Sequence, residues 1–417
     1  MLLTAFVLAA GFAHAAPQPA PELPPSVYQA RREKLMKELG GCAAVLAAKG
    51  ITQGITEEYW QDSDFYFLTG VNEPGAWLEL VPKAKYTKTR LYLRSRDPEA
   101  ERWTGPRDPI SPELKEKYGV DQVRRGRPSL VTAAQQSGCV ALIAPLEGPK
   151  DDRPDVELTR QAGGAAGVNT VWKRKAIEAL REAHTAEEIA RMERAIALTR
   201  AGHEAAAKAT VAGVSERDVQ TQLEFAFFAG GATRLSYPSI VGSGENGAVL
   251  HWDQNSRMLR AGDLVVVDAA AEYGRYSADV TRTFPVSGKF NDEQAKVYRA
   301  VYQVQEDVFA AIKPGVSMDD LQHVAEESMK RLGYLDKFIH GLGHFVGLEV
   351  HDAGDHSAPL PVGAIFTVEP GIYWPEHGFG VRIEDEVLIT EGGYKLLTKE
   401  IPRKLEEVEA WVERARR

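Results

Sequence analysis

A chain of 417 residues is long enough for two domains of roughly 150 to 200 residues each. Its formal net charge is −9, with 50 basic and 59 acidic residues well mixed, which argues against nucleic acid as a partner. The longest apolar run, Leu2 to Ala13, is shorter than the roughly 18 residues that span a bilayer, so no stable membrane span is expected.

That first run reads as a secretory signal. An apolar core precedes Ala13-His14-Ala15, a small-x-small cleavage pattern, and the Pro-rich stretch Pro17 to Pro25 follows. No Lys or Arg precedes the core, so a start codon placed too early in a cytoplasmic protein is the competing reading. Export to the periplasm or beyond is the expectation, and residues 1–25 form a signal peptide and leader.

Residues 26–172 read as an α/β domain. Val27 to Leu39 spaces its apolar residues as an amphipathic helix that Gly40-Gly41 ends. Strand-like runs follow at Cys42 to Ala48, Phe65 to Leu68, Trp77 to Val81, Arg90 to Leu93 and Cys139 to Ala144. Helix-like pieces lie between them at Pro112 to Tyr118 and Pro128 to Gln136. The Gly/Asp/Pro-rich stretch from Glu147 to Gly167 reads partly as a linker or solvent-facing loop. Its Gly163-Gly164-Ala165-Ala166-Gly167 cluster lacks the Gly-Lys-Ser/Thr ending of a phosphate loop. The two cysteines, Cys42 and Cys139, fit either a disulfide in an oxidising compartment or two buried thiols.

Residues 173–417 turn helical and then acidic. Thr185-Ala186-Glu187-Glu188 is a capping box for a long helix to about Val211, and Ser215 caps another through Phe228. Tyr237 to Trp252 reads as a Gly/Ser loop and strand with His251 near its end. Next, Leu264 to Pro285 reads as a buried β-hairpin with its turn between Tyr273 and Gly274. That register sets Asp268 directly opposite Asp279, about 5 Å apart at Cβ. Two like charges so placed repel unless one takes a proton or a cation lies between them.

The pattern then repeats. Helices are expected over Asn291 to Ile312 and Ser317 to Leu332. Gly363 to Glu369 matches Gly262 to Asp268 as a glycine, an apolar run and a carboxylate, and Gly380 to Glu384 supplies a return strand. Helix, helix, hairpin therefore occurs twice, with Asp268, Asp279, Glu369 and Glu384 on the two hairpins. Brought together, four negative charges are most simply neutralised by two divalent cations. The alternative is that each acid caps a turn or pairs with Arg275, Arg282 or Arg382.

Of the ten histidines, His184, His203, His323 and His377 read as ordinary surface or satisfied polar residues. His340, His344 and His351 lie in a Gly-rich, strand-like segment before the second hairpin, where spacing four puts His340 and His344 on one face. His340-Gly341-Leu342-Gly343-His344 lacks the glutamate of a zinc-protease helix and carries two helix-breaking glycines. A metal role for one of these histidines is expected.

The segments ENGAVLHW, DLVVVDAAAEYGRYSADVTRTFPV, HGLGHFVGLEVHD, TVEPGIY and GVRIEDEVLI resemble aminopeptidase P and prolidase, the proline-specific branch of the pitta-bread dinuclear metallopeptidases. In the front half RREKLM, QDSDFYFLTGVNEPGAWLEL and ERWTGPRDPI resemble the N-terminal domain of aminopeptidase P, which favours that family over prolidase. The implied fold is an α/β N-terminal domain plus an α+β pitta-bread catalytic domain with duplicated halves. The resemblance implies that Asp268 holds one metal, that Asp279 and Glu384 bridge two, and that His344 and Glu369 hold the other. It makes His251 and His351 contacts of the scissile carbonyl and the leaving proline side, and Arg382 a supporting arginine. Manganese is the implied metal, with cobalt or zinc as substitutes; peptides with proline second are the implied substrates, and a homo-oligomer is expected.

An Xaa-Pro bond is a tertiary amide with a rigid ring and no N–H on the leaving side. Two metals polarise such a carbonyl and activate water at neutral pH, Glu369 would move the proton to the leaving nitrogen, and His251 would stabilise the oxyanion. The connections from His351 to Glu369 and from Glu369 to Glu384 are shorter than in the longer bacterial pattern, which implies a reduced loop beside the substrate channel. The rivals are a prolidase restricted to dipeptides, a metal-free creatinase-like hydrolase and a non-catalytic binding protein. Retention of all five ligands argues against the last two.

Overall fold

The computed structural model describes residues 20–50, 58–144 and 153–417; the run read as a secretory signal and residues 147–152 lie outside the described residues. The front half is built on a six-stranded sheet of β1 (Ala43–Ala47), β2 (Trp77–Leu80), β3 (Thr89–Leu93), β4 (Gln122–Arg125), β5 (Cys139–Leu142) and β6 (Asn169–Trp172). Its order is β4-β3-β2-β1-β5-β6, with β2 antiparallel to both neighbours and the outer pairings parallel. A disulfide joins Cys42 to Cys139 at the start of the adjacent strands β1 and β5. Of the two readings the sequence left open, the bonded one holds.

Two elements of this half differ from expectation. Phe65 to Leu68 is the middle of a helix, Ser63–Thr69, rather than a strand. Asp62 accepts a hydrogen bond from Phe65 N and left-handed Gly70 closes the other end, so the caps override the β propensity of the aromatics. The stretch read as linker or loop holds a helix at Pro154–Ala166, started by its own proline and stopped by Gly167. Val156 and Ala162 of that helix are buried against the sheet.

The second half carries four long helices, Ala186–Ala209 and Glu216–Ala229 before the first hairpin and Asp292–Ala311 and Met318–Leu332 before the second, each opened by a reciprocal capping box. Such a cap stabilises a helix by about 1 kcal/mol, which fixes where each starts. Against them lie β7 (Arg234–Leu235), β8 (Ile240–Ser243) and the first hairpin, which is β9 (Leu264–Asp268) and β10 (Ala271–Tyr273) returning as β11 (Tyr276–Ser277) and β12 (Thr281–Pro285). The second hairpin is β13 (Ile365–Val368) and β14 (Gly371–Trp374), returning as β15 (Phe379–Arg382) and β16 (Asp385–Thr390), with β17 (Gly393–Leu396) beside it.

The turn of the first hairpin falls one residue later than expected. Gly274 and Arg275 are its two central residues, with φ of 58° and 79°, the paired left-handed geometry that matches strand twist. Arg275 tolerates this because its guanidinium lies over Trp60 and Tyr66 of the first half, 3.9 and 4.4 Å from their ring centroids. Asp268 consequently pairs with Thr281, not with Asp279. A one-residue shift of the turn moves the pairing by two positions, so both aspartates keep the same face but sit diagonally.

Both hairpins break at the acids. Between Val368↔Asp385 and Gly371↔Arg382 the register puts Glu369 directly opposite Glu384. The cross-strand acid pair expected in the first hairpin thus exists in the second. Each break is tied from behind by a buried polar side chain of a duplicated helix. His203 Nε2 lies 2.9 Å from Ala269 O, and Gln305 Nε2 donates to Val368 O at 3.0 Å, Ile383 O at 3.2 Å and Asp385 Oδ2 at 2.9 Å. The hairpins meet edge to edge through Glu384 N to Thr281 O at 3.1 Å and Thr283 Oγ1 to Arg382 O at 2.9 Å. Among the described residues, no helix is long and apolar enough to cross a membrane.

Candidate metal centre

The four acids converge where the hairpins meet. Ligand atoms of Asp279, His344 and Glu384 all lie within 4.8 Å of one another. His344 Nε2 is 3.3 Å from Asp279 Oδ2 and 3.5 Å from Glu369 Oε1. Asp268 joins through Tyr237, whose hydroxyl lies 2.6 Å from Asp268 Oδ1 and 2.5 Å from Asp279 Oδ1. One phenol carries one proton and can donate to only one carboxylate, so the other close contact needs either a proton on one carboxyl or a cation between them.

The segment that supplies His340, His344 and His351 is not a strand; it is irregular apart from one bridge between Phe345 and Phe366. Its two glycines let the backbone lie against β13 so closely that a Cβ on Gly343 would stand 2.1 Å from Thr367 O. His344 still points at the acids, and His340 reaches Glu369 at 4.0 Å and Tyr373 Oη at 2.9 Å.

Arg382 settles the alternative of separate ion pairs. It donates to Asp268 Oδ2 at 2.7 Å and is itself fixed by Thr281 Oγ1 at 3.1 Å and Tyr373 Oη at 2.8 Å. Arg282 pairs instead with Asp385, and Arg275 stacks on aromatic rings. Among the described residues Glu384 has no ion pair; its partner is the Thr281 hydroxyl at 2.6 Å. Four carboxylates thus face one permanent cation.

The protonation equilibria express the same shortage. Burial raises Asp268 despite Arg382, and burial with three neighbouring carboxylates drives Glu384 far up. Burial pushes Glu369 up to about 8. Burial alone would lower His344, but Asp279 and Glu369 raise it to about 9. These oxygens and one imidazole form a donor set that fits divalent cations.

The acids floor a cavity of about 270 Å³ whose walls include Tyr237, Ile240, Val350, His251 and His351. His251 follows a 3₁₀ turn at Gly244–Ala248, and the His351 ring lies 4.1 Å from that of His344. All eight residues singled out in the sequence, Asp268, Asp279, His344, Glu369, Glu384, His251, His351 and Arg382, therefore lie at this place. Sequence reading missed Tyr237, Thr281 and Tyr373, single hydroxyls in runs whose composition does not distinguish them from core or strand residues.

Residues 190–391 match metallopeptidase family M24, and residues 28–127 match the N-terminal domain of aminopeptidase P. The Xaa-Pro aminopeptidase of Escherichia coli is 34% identical over 94% of this chain and 98% of its own. The chain belongs to the aminopeptidase P family. A solved structure of zinc-substituted aminopeptidase P from E. coli, in complex with product, superposes with a TM-score of 0.83 at 32% identity, covering 95% of this chain and 100% of that one. The Xaa-Pro dipeptidase of Pyrococcus furiosus is 40% identical, but over only 54% of this chain and 65% of its own. The aminopeptidase P likeness runs through both halves, whereas the dipeptidase likeness covers about half of the chain.

Proposed function

We propose that this protein is a metal-dependent exopeptidase that releases the N-terminal residue from peptides whose second residue is proline. The observation that carries the reading is the convergence of Asp268, Asp279, Glu369, Glu384 and His344 with too few protein cations to balance them. Asp279 and Glu384 would bridge two divalent ions, Asp268 would complete one and His344 with Glu369 the other. Bound there, the ions supply Lewis acidity toward the scissile carbonyl and lower the pKa of water.

The chain's own groups do the rest. The negative site as a whole would hold the substrate's free α-amine, which would limit attack to the first peptide bond, while Arg382 and Tyr237 hold Asp268 in place. Glu369 would take the proton from the attacking water and carry it to the proline nitrogen, which cannot otherwise leave a tertiary amide. His251 and His351, on the cavity wall, would contact the carbonyl oxygen and the proline ring.

Manganese is the proposed native metal, supported by the hard, carboxylate-rich donor set. Export is supported by the Cys42–Cys139 disulfide, a bond that persists in oxidising compartments. The proposed division is residues 1–25, 26–172 and 173–417; the end of β6 at Trp172 supports its second boundary, whereas the first falls at the start of the helix Pro25–Glu38, and a homo-oligomer is part of the proposal.

Metal analysis of purified protein beside assays on an Xaa-Pro dipeptide and an Xaa-Pro-Pro tripeptide tests the reading. Cleavage of the tripeptide with bound metal is expected. Activity confined to the dipeptide would favour a prolidase, and full turnover after metal depletion would refute the assignment.

A further inference from the structure

The turn that carries His351 is held by a buried ionic bridge that contains no metal ligand. Arg181, in the helix Arg174–Glu182 that joins the two halves, is buried with only 6% of its surface exposed. Its Nη1 donates to Asp64 Oδ1 at 2.8 Å, in the helix Ser63–Thr69 of the N-terminal half, and its Nη2 donates to Asp352 Oδ1. Arg174 also donates to Asp64.

Asp352 organises the turn from within. Its Oδ2 accepts from Leu348 N at 2.7 Å, its Oδ1 from Ala353 N at 2.6 Å, and its own N donates to Phe345 O at 2.8 Å. The carboxylate occupies the space beside Gly347, where a Cβ would stand 2.2 Å from Asp352 Oδ2 and 2.7 Å from His184 Nε2. Gly347 O in turn accepts from Ser277 N of the first hairpin at 2.8 Å. Among the described residues the His351 ring makes no hydrogen bond, so the backbone of this turn sets where the imidazole stands.

We infer that Arg181 is a positioning residue: it clamps Asp352 from one side and Asp64 of the N-terminal half from the other, and so fixes the turn that presents His351 to the substrate. The inference takes its chemistry from the peptidase reading, while its geometry is independent of it. Asp64 thereby gives the N-terminal half a share in the reaction although it lies outside the metal cavity.

A bridge that merely joins the halves would act independently of His351, and a double-mutant cycle separates the two roles. Asp352→Asn keeps the size of the side chain and an acceptor for Leu348 N but breaks the charge pair. On an Xaa-Pro-Pro tripeptide its kcat/KM is expected to fall by about 100-fold, the loss typical of a misplacement near 1 Å. In a His351→Ala background the same change is expected to add nothing, with metal content unchanged throughout. A crystal structure of Asp352→Asn should show the His351 ring displaced from its place beside His344. Should Asp352→Asn not fold, Asp64→Asn provides the same cycle from the opposite end of the bridge. Additive losses, or a His351 ring unmoved in the crystal, overturn the inference. A wild-type enzyme inactive on Xaa-Pro peptides would instead sink the peptidase reading and leave the crystal structure to decide the positioning role.

Discussion

Glu384 concentrates the argument at the residue scale. It is a buried acid in the break between β15 and β16, with a hydroxyl for its partner and three other carboxylates around it. Charges so placed persist only with a counter-ion, so Asp279→Ala and Glu384→Ala are expected to abolish both bound metal and turnover, read by elemental analysis and peptide assay. Thr281 gives a finer test, because its hydroxyl orients Glu384 and receives Arg382. Thr281→Val keeps the shape, removes both hydrogen bonds and is expected to weaken metal affinity about 10- to 100-fold, measured by competition with a chelator. The acids were legible in the sequence because a carboxylate inside an apolar run is a local contradiction. Thr281 was not, since a threonine in a strand contradicts nothing.

At the scale of elements, the duplicated helix, helix, hairpin order was legible through its capping residues and apolar periodicities. The pairing register was not. It turned on whether Tyr273-Gly274 or Gly274-Arg275 forms the turn, and Arg275 adopts the less favourable backbone because Trp60 and Tyr66, some 200 residues away in the chain, stack on it. The histidine segment likewise read as a strand but is an irregular run drawn tight against β13. Gly343→Ala would drive a methyl into the Thr367 backbone, so a loss of about 2 to 3 kcal/mol in stability and displacement of His344 are expected. Denaturant unfolding with parallel metal titration checks both.

For the molecule as a whole, the acid cluster ties stability to pH and to metal in opposite directions. In the metal-free protein Glu369 is raised from its ordinary 4.5 to about 8 and His344 from 6.5 to about 9. Each contributes stability that is fully present below its ordinary value and is lost as pH rises through its folded value. The chelated protein should therefore melt at progressively lower temperature between about pH 5 and 9 in calorimetry. Metal binding requires these same groups deprotonated, so affinity should rise across that window. A metal-free melting temperature that climbs with pH would contradict this account of the cluster.

The sequence alone determined which residues carry charge, which runs are apolar and where helices begin, because caps and periodicity act within a few residues of chain. From these came the duplicated hairpins and their four acids, whereas His251, His344, His351 and Arg382 were singled out through the resemblance of whole segments to the family. Tertiary structure alone decided the turn register, the hydroxyls that hold the acids and the Arg181 bridge between the halves. Each of these depends on groups distant in the chain and adjacent in space, and no local pattern encodes a contact whose partner lies a hundred residues away.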